Sequence, residues 1–119
     1  MDLQMQKTLF NLFQSHLKFP FYDGLSNEGY PYGAFGYTQD TFLNTKTSQG
    51  NRLFYQIDLF SDYNGQKEVK EMSQSVIDLF SDVIKLDNGK IAILSDYSKM
   101  IQREDEVYHG ILELTFEIY

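Results

Sequence analysis

The residues best suited to chemistry are two histidines, His16 and His109, which stand far apart in the chain. A zinc site needs several ligands at close spacing, as in H-x-x-x-H or H-E-x-x-H. Neither pattern occurs, and the absence of cysteine removes thiolate ligands and cysteine nucleophiles. We therefore expect no metal site. His16 is interpreted as a favourable charge near the end of a helix.

Carboxylates form a second group of candidate residues. Glu104, Asp105 and Glu106 are consecutive, but the glycine and the distant bidentate glutamate of a calcium loop are missing. We interpret them as a solvated hairpin tip. Asp58 and Asp62 flank the end of a predicted strand. Hydrolysis by paired carboxylates requires a set separation in a cleft, and nothing in the sequence indicates such a cleft.

Motifs for nucleophilic and phosphate chemistry are also missing. The sequence contains neither G-x-S-x-G nor G-x-x-x-x-G-K-[ST]. Gly33 and Gly36 lack the third glycine and the following helix of a dinucleotide fingerprint. We therefore expect no enzymatic activity and no cofactor.

Length and composition describe a single small domain over residues 1–119. Hydrophobic residues make up 42% of the 119 residues and charged residues 23%, which are ordinary globular values. The net charge of −7 repels a phosphate backbone on average. No signal peptide is evident, and no apolar run approaches the ~18–20 residues that cross a bilayer. We expect a soluble protein made in the cytoplasm, with no membrane partner.

Aromatic residues are abundant, with 10 Phe and 9 Tyr but no Trp. Tyrosine combines an apolar ring with a polar tip and suits surfaces that are buried only on association. The preference of aromatics for strands accounts for any single tyrosine. The whole set exceeds what a small core needs, which favours a contact surface.

Hydrophobic periodicity predicts the elements that must position these residues. It predicts an α+β domain, in which two helices pack on an antiparallel sheet and the chain ends in a long β-hairpin. The predicted elements are a helix at 2–17, a loop at 20–29, an edge strand at 30–38, strands within 41–60 with a polar hairpin turn at 43–52, a helix at 65–85, and hairpin arms at 91–101 and 107–119.

The predicted core comes from the apolar faces of these elements. The stripe of the second helix extends as far as Val83, and the polar turn at 43–52 is expected to be mobile in the free subunit. The residues expected to share the core are Leu9, Leu12, Phe13, Val69, Met72, Val76, Phe80, Leu112, Leu114 and Phe116.

Three segments carry a resemblance to a known family. The first is the Pro-aromatic stretch Tyr-Pro-Tyr-Gly-Ala-Phe-Gly at 30–36, and the second is Thr-Lys-Thr at 45–47, which leads into the strand at 53–60. The third is 60–72, where a strand ends in an aromatic-glycine turn and a helix rich in Lys and Glu begins. Through these segments the chain, over about residues 3–119, resembles siphophage tail-completion proteins of the tail terminator type.

The resemblance implies a structural role. Such proteins form a ring, generally of six subunits, at the head-proximal end of the tail tube, where it stops tube polymerisation and joins the tail to the filled head. The implied partners are further copies of the chain, the major tail tube protein and neck or connector proteins, with DNA only as passing cargo. The implied location is the virion tail, after synthesis in the bacterial host.

Contact residues are expected among surface tyrosines and lysines. The strand tyrosines and the lysines of the polar hairpin and second helix are the candidates for a ring with head-to-tail contacts. They are Tyr30, Tyr32, Lys46, Tyr55, Tyr63, Lys67 and Lys70.

Two other functions fit the same sequence. One is a connector or stopper protein of the phage neck, and the other is a small α+β domain, unrelated to phages, that binds a peptide or small ligand. Self-assembly separates the phage proteins from the ligand-binding domain, because a lone binding module neither forms rings nor joins tails to heads.

Overall fold

The computed structural model describes residues 2–24, 29–42, 51–86 and 89–119. Within these ranges the molecule is elongated, with principal extents of 49 × 24 × 23 Å. Its elements in chain order are α1 (Asp2–His16), β1 (Phe21–Tyr22), β2 (Tyr32–Phe42), β3 (Asn51–Ser61), α2 (Lys67–Asp78), β4 (Ile84–Lys85), β5 (Ile91–Glu104) and β6 (Val107–Ile118).

The strands form one curled six-stranded sheet in the order β1-β2-β3-β6-β5-β4. The short β1 pairs in parallel with β2, and every other neighbouring pair is antiparallel. The last two long strands form a hairpin with its turn at Asp105 and Glu106. The predicted α+β class and the C-terminal hairpin are therefore confirmed.

Alternation along the central strands separates the two faces of the sheet. In β3 the apolar residues Leu53, Ile57 and Leu59 are completely buried, and their partners in β6 point to the same side. Because side chains in a strand alternate between faces, the even-numbered residues of β3 lie on the opposite face. The buried apolar side chains of β6 on this face are Leu112, Leu114, Phe116 and Ile118.

Both helices contribute to the core on this buried face. Phe13 of α1 contacts Phe21, Phe35 and Phe80, at ring-centroid distances of 4.7, 6.1 and 6.0 Å. The second helix α2 packs on β3 and β6 and buries Val69, Met72 and Val76. Of the ten predicted core residues, nine are buried and Leu12 is only partly so.

The second helix is shorter than the predicted helix at 65–85. It ends at Asp78, because the backbone N–H groups of Leu79 and Phe80 bond three residues back, to Val76 and Ile77, and tighten the last turn. The chain then forms β4 at the sheet edge. Val83 is therefore not part of a buried stripe but is 45% exposed.

Two loops also differ from their predictions. The loop predicted at 20–29 contains β1, two residues that pair with Gly33 and Ala34 and are too few to show an alternating pattern. The turn predicted at 43–52 overlaps β3, which begins at Asn51, while β2 extends to Phe42. Residues 43–50, with their predicted mobility, lie outside the described residues.

Gly110 of β6 lets α2 lie close to the sheet. A Cβ at this position would be 2.9 Å from a methyl carbon of Val69, so Gly110→Ala requires the Val69 side chain or the helix that carries it to shift. We expect it to lower the free energy of unfolding by about 1–3 kcal/mol, the usual cost of overpacking. Chemical denaturation measures this loss. In a Val69→Ala background, Gly110→Ala should lower the free energy of unfolding by less than it does in the wild type. A double-mutant cycle measures this difference.

Gly24→Ala is the control for this variant, because a Cβ there meets no atom within 4 Å. It should change the free energy of unfolding by no more than about 0.5 kcal/mol. An equally small effect of Gly110→Ala would contradict the close packing of α2 on β6.

Candidate functional site

The face of the sheet opposite the helices, here called the outer face, carries a stack of rings across three strands. Tyr30 stacks on Tyr32, Tyr32 on Phe60, and Phe60 on His109, with centroid distances of 5.8, 4.8 and 4.5 Å. The registers Tyr32↔Phe60 and Phe60↔His109 bring these residues side by side. Tyr30, at 46% exposure, is the solvent-facing end of the stack.

His109 lies between two carboxylates. Its Nε2 is 2.9 Å from Oδ1 of Asp58, and its Nδ1 is 3.3 Å from Glu104. Asp58 is buried and also accepts a hydrogen bond from Gln56. A neutral imidazole has one N–H, so His109 donates to both carboxylates only as an imidazolium.

This arrangement is suited to holding strands together. Both ring nitrogens face carboxylates and Phe60 covers one face of the ring, so the imidazole has no free nitrogen for a substrate. The pair was not predicted from the sequence, because Asp58 and His109 are 51 residues apart. Only the strand register, which the sequence does not reveal, joins them.

The tyrosines predicted to make contacts differ in their exposure to solvent. Tyr30 and Tyr63 are 46% and 49% exposed. Tyr32 is buried within the ring stack. Tyr55 is completely buried beside Phe35 and Phe116 in the core, so the prediction that it is a contact residue is wrong.

Of the predicted lysines, Lys67 and Lys70 are exposed on α2, whereas Lys46 lies outside the described residues. Lys70 borders a groove between α2 and β5. We call this the basic groove; it has a volume of about 400 Å³ and is lined by Lys70, Ser73, Gln74, Lys99 and Ile101. Lys99 was not among the predicted contact residues, because it lies in a strand with no regular alternation of apolar residues.

Exposed apolar side chains on the terminal hairpin were also missed. Ile93, Tyr97 and Met100 of β5 are 37%, 47% and 52% exposed. Tyr119, just after β6, is 55% exposed. Ile93 and Met100 lie on the outer face of the hairpin and Tyr97 on its helix side, so exposed apolar surface, which can mark contact with another molecule, occurs on both faces.

Tyr119 has a raised pKa. Its hydroxyl donates a hydrogen bond to Glu117 at 3.2 Å, and this bond and the negative charge of Glu117 favour the neutral phenol. Because the pKa of Tyr119 is raised above the ordinary 10.0, its contribution to stability is present below that value. The contribution is lost as the pH rises through the folded-state pKa.

We expect Glu117→Gln to move the pKa of Tyr119 back towards its ordinary value, because the substitution removes the charge. An NMR titration of the labelled Tyr119 ring measures the shift. Glu106→Gln, at the distant hairpin tip, is the control and should leave the Tyr119 pKa unchanged. An unchanged Tyr119 pKa in Glu117→Gln would show that Glu117 is not the cause.

Within the described ranges, no group of three or more His, Asp or Glu side chains is arranged to hold a metal ion. No helix in the same ranges is both long and apolar enough to cross a membrane.

Comparison with known proteins identifies shared folds. No protein-family model and no curated protein matches the chain. A solved chain from "Virion of native gene transfer agent (GTA) particle" matches with a TM-score of 0.73 and 14% identity, over 98% of this chain and 96% of that one. A second solved chain matches with a TM-score of 0.69 and 11% identity, over 99% and 92%. At these identities the likeness shows the fold alone.

Proposed function

We propose that this chain is a structural protein of a phage or phage-like virion, and that it is the tail terminator, a ring subunit that caps the tail tube and joins tail to head. The observation that carries the proposal is the match to a chain of a gene transfer agent virion, over 98% of one chain and 96% of the other. The more specific role of tail terminator is supported by the resemblance of segments 30–36 and 60–72 to tail terminators.

The surface supports a function in assembly. One hairpin presents exposed Ile93, Tyr97 and Met100, and within the described ranges both helices pack on the other side of the sheet from its outer face. Closed rings join two different patches of each subunit. An elongated subunit with apolar side chains along a 14-residue strand offers such patches on both faces of the hairpin.

The proposal specifies partners and mode of action. The protein binds further copies of itself in a ring of six, the major tail tube protein on one side and neck or connector proteins on the other. It acts by assembly, without turning over a substrate. DNA passes through the ring as cargo, and the net charge of −7 disfavours retention of the phosphate backbone.

Mixing the purified protein with tail tubes tests the proposal. We expect rings at one end of each tube in electron micrographs, and light scattering of the released ring should give a mass near six subunits. Binding to heads but not to tubes would indicate the neck connector instead. A protein that stays monomeric and binds neither particle would refute the assembly role and favour a ligand-binding domain.

A further inference from the structure

We propose that neighbouring copies of this chain dock head to tail, with the basic groove of one copy receiving an acidic patch on the outer face of the next copy's terminal hairpin. We call this patch, formed by Asp96 and Glu113, the acidic patch; the neighbouring Glu117 is not part of it, because Arg52 pairs with its carboxylate at 3.5 Å. The inference rests on the proposed function, since a ring needs two different surfaces on each subunit. The new claim is which two surfaces of each subunit meet in the ring.

The basic groove is a local concentration of positive charge on an acidic protein. Lys70 and Lys99 are both exposed, and no carboxylate is among the described residues that line the groove. Ser73 donates its hydroxyl hydrogen bond to the carbonyl of Val69 within α2. The two ammonium groups are therefore the groups of the groove that suit an acidic partner, while Ile101 supplies apolar surface.

The groove exists because α2 does not reach across the whole sheet. The helix packs on β3 and β6, and the adjoining β5 extends beyond it. Tyr97 and Lys99 pair with Leu114 and Leu112 and so share their face of the sheet, yet Tyr97 is 47% exposed. A part of the helix-side face is thus open for a partner.

The acidic patch lies on the other face of the same hairpin. Asp96 pairs with Thr115, and Ser98 pairs with Glu113, which places these residues side by side on the outer face. Ser98 donates a hydrogen bond to Glu113 at 3.0 Å, but a neutral hydroxyl does not offset the negative charge. Exposed Met100 and Ile93 add apolar contact area on the same face.

Strand geometry prevents the two surfaces from meeting within one molecule. Side chains alternate between faces along a strand, so Lys99 and its neighbour Ser98, with Glu113 opposite, point in opposite directions. The complementary charges can meet only between copies. Complementary patches also fix the register of docking and suppress wrong partners, which a subunit with a net charge of −7 needs because its copies otherwise repel.

Charge reversal on each surface tests the inference, with wild-type rings on tail tubes as the reference. Lys99→Glu and Glu113→Lys should each reduce the ring yield at least about tenfold, because like charges then face each other. The double variant Lys99→Glu with Glu113→Lys should recover rings. An equimolar mixture of the two single variants should also form them, because alternating subunits restore every contact in a ring with an even number of subunits.

Lys85→Glu, which makes the same change of charge on the exposed β4, is the control and should assemble like the wild type. Circular dichroism checks that each variant is folded. Wild-type yields of rings from Lys99→Glu, or no rescue by the double variant or the mixture, would overturn this docking mode while leaving the terminator role intact. Absence of rings from the wild type would instead refute the proposed function.

Discussion

Replacing Leu114 by alanine is expected to lower the free energy of unfolding by about 2–5 kcal/mol, the range for removing a large buried aliphatic side chain. Leu114 is completely buried and pairs with Tyr55 in the central strand β3. The substitution removes apolar contacts and leaves a cavity between the sheet and the helices. Phe80→Ala, next to Phe13 and Phe116, should cause a loss of similar size. Denaturant unfolding at constant pH measures both.

Ile93→Ala is a matched control for Leu114→Ala, since it removes the same number of carbon atoms from the adjacent strand. Ile93 is 37% exposed on the outer face, so a smaller loss, below about 1.5 kcal/mol, is expected. Equal losses for Leu114→Ala and Ile93→Ala would mean that the two faces of the hairpin are wrongly assigned.

Removing the protein from the phage that encodes it is expected to abolish joined particles. Without a terminator, tails lack their stop signal and their joining surface, so heads and tails should accumulate separately and the tails should have abnormal lengths. Electron microscopy of lysates measures both, and the titre of infectious particles should fall by orders of magnitude. Normal joined particles in the complete absence of the protein would falsify the terminator role.

Complementation supplies the controls for this experiment. The wild-type protein expressed in trans should restore joined particles and normal tail length. The Lys85→Glu variant should restore them equally well, since its charge change lies outside both proposed contact surfaces. Failure of the wild-type protein to complement would assign the defect to another gene.

Strand alternation made the centre of the fold predictable from the sequence. Leu53, Ile57 and Leu59 recur with period two, and all are buried as that pattern predicts. The same alternation places Tyr55 among them. The prediction of Tyr55 as a contact residue failed because it relied on residue type, whereas strand position determines which face a side chain occupies.

Hydrophobic periodicity does not predict elements that are only as long as one period of the pattern. The two residues of β1 and the two of β4 acquire their conformation from pairing with β2 and β5. The end of α2 was missed for a related reason. Apolar residues continue at helical spacing to the buried Phe80, but the backbone has already left the helix after Asp78.

The candidate site depends on register, which only the folded chain shows. The ring stack and the Asp58–His109 contact both follow from the pairing of β3 with β6. Tyr30, Tyr63, Lys67 and Lys70 are exposed, and their role as contact residues stays a prediction. Lys99 was not predicted, because its place beside α2 follows from the pairing of β5 with β6, which the sequence does not reveal.

A cryo-electron microscopy reconstruction of the head–tail junction of the intact particle would show where this protein is located. We expect a ring of about six copies of this fold at the head-proximal end of the tail tube, with adjacent copies related by rotation about the tail axis. A junction whose density is fully occupied by other proteins, or this fold found only elsewhere in the particle, would contradict this expectation.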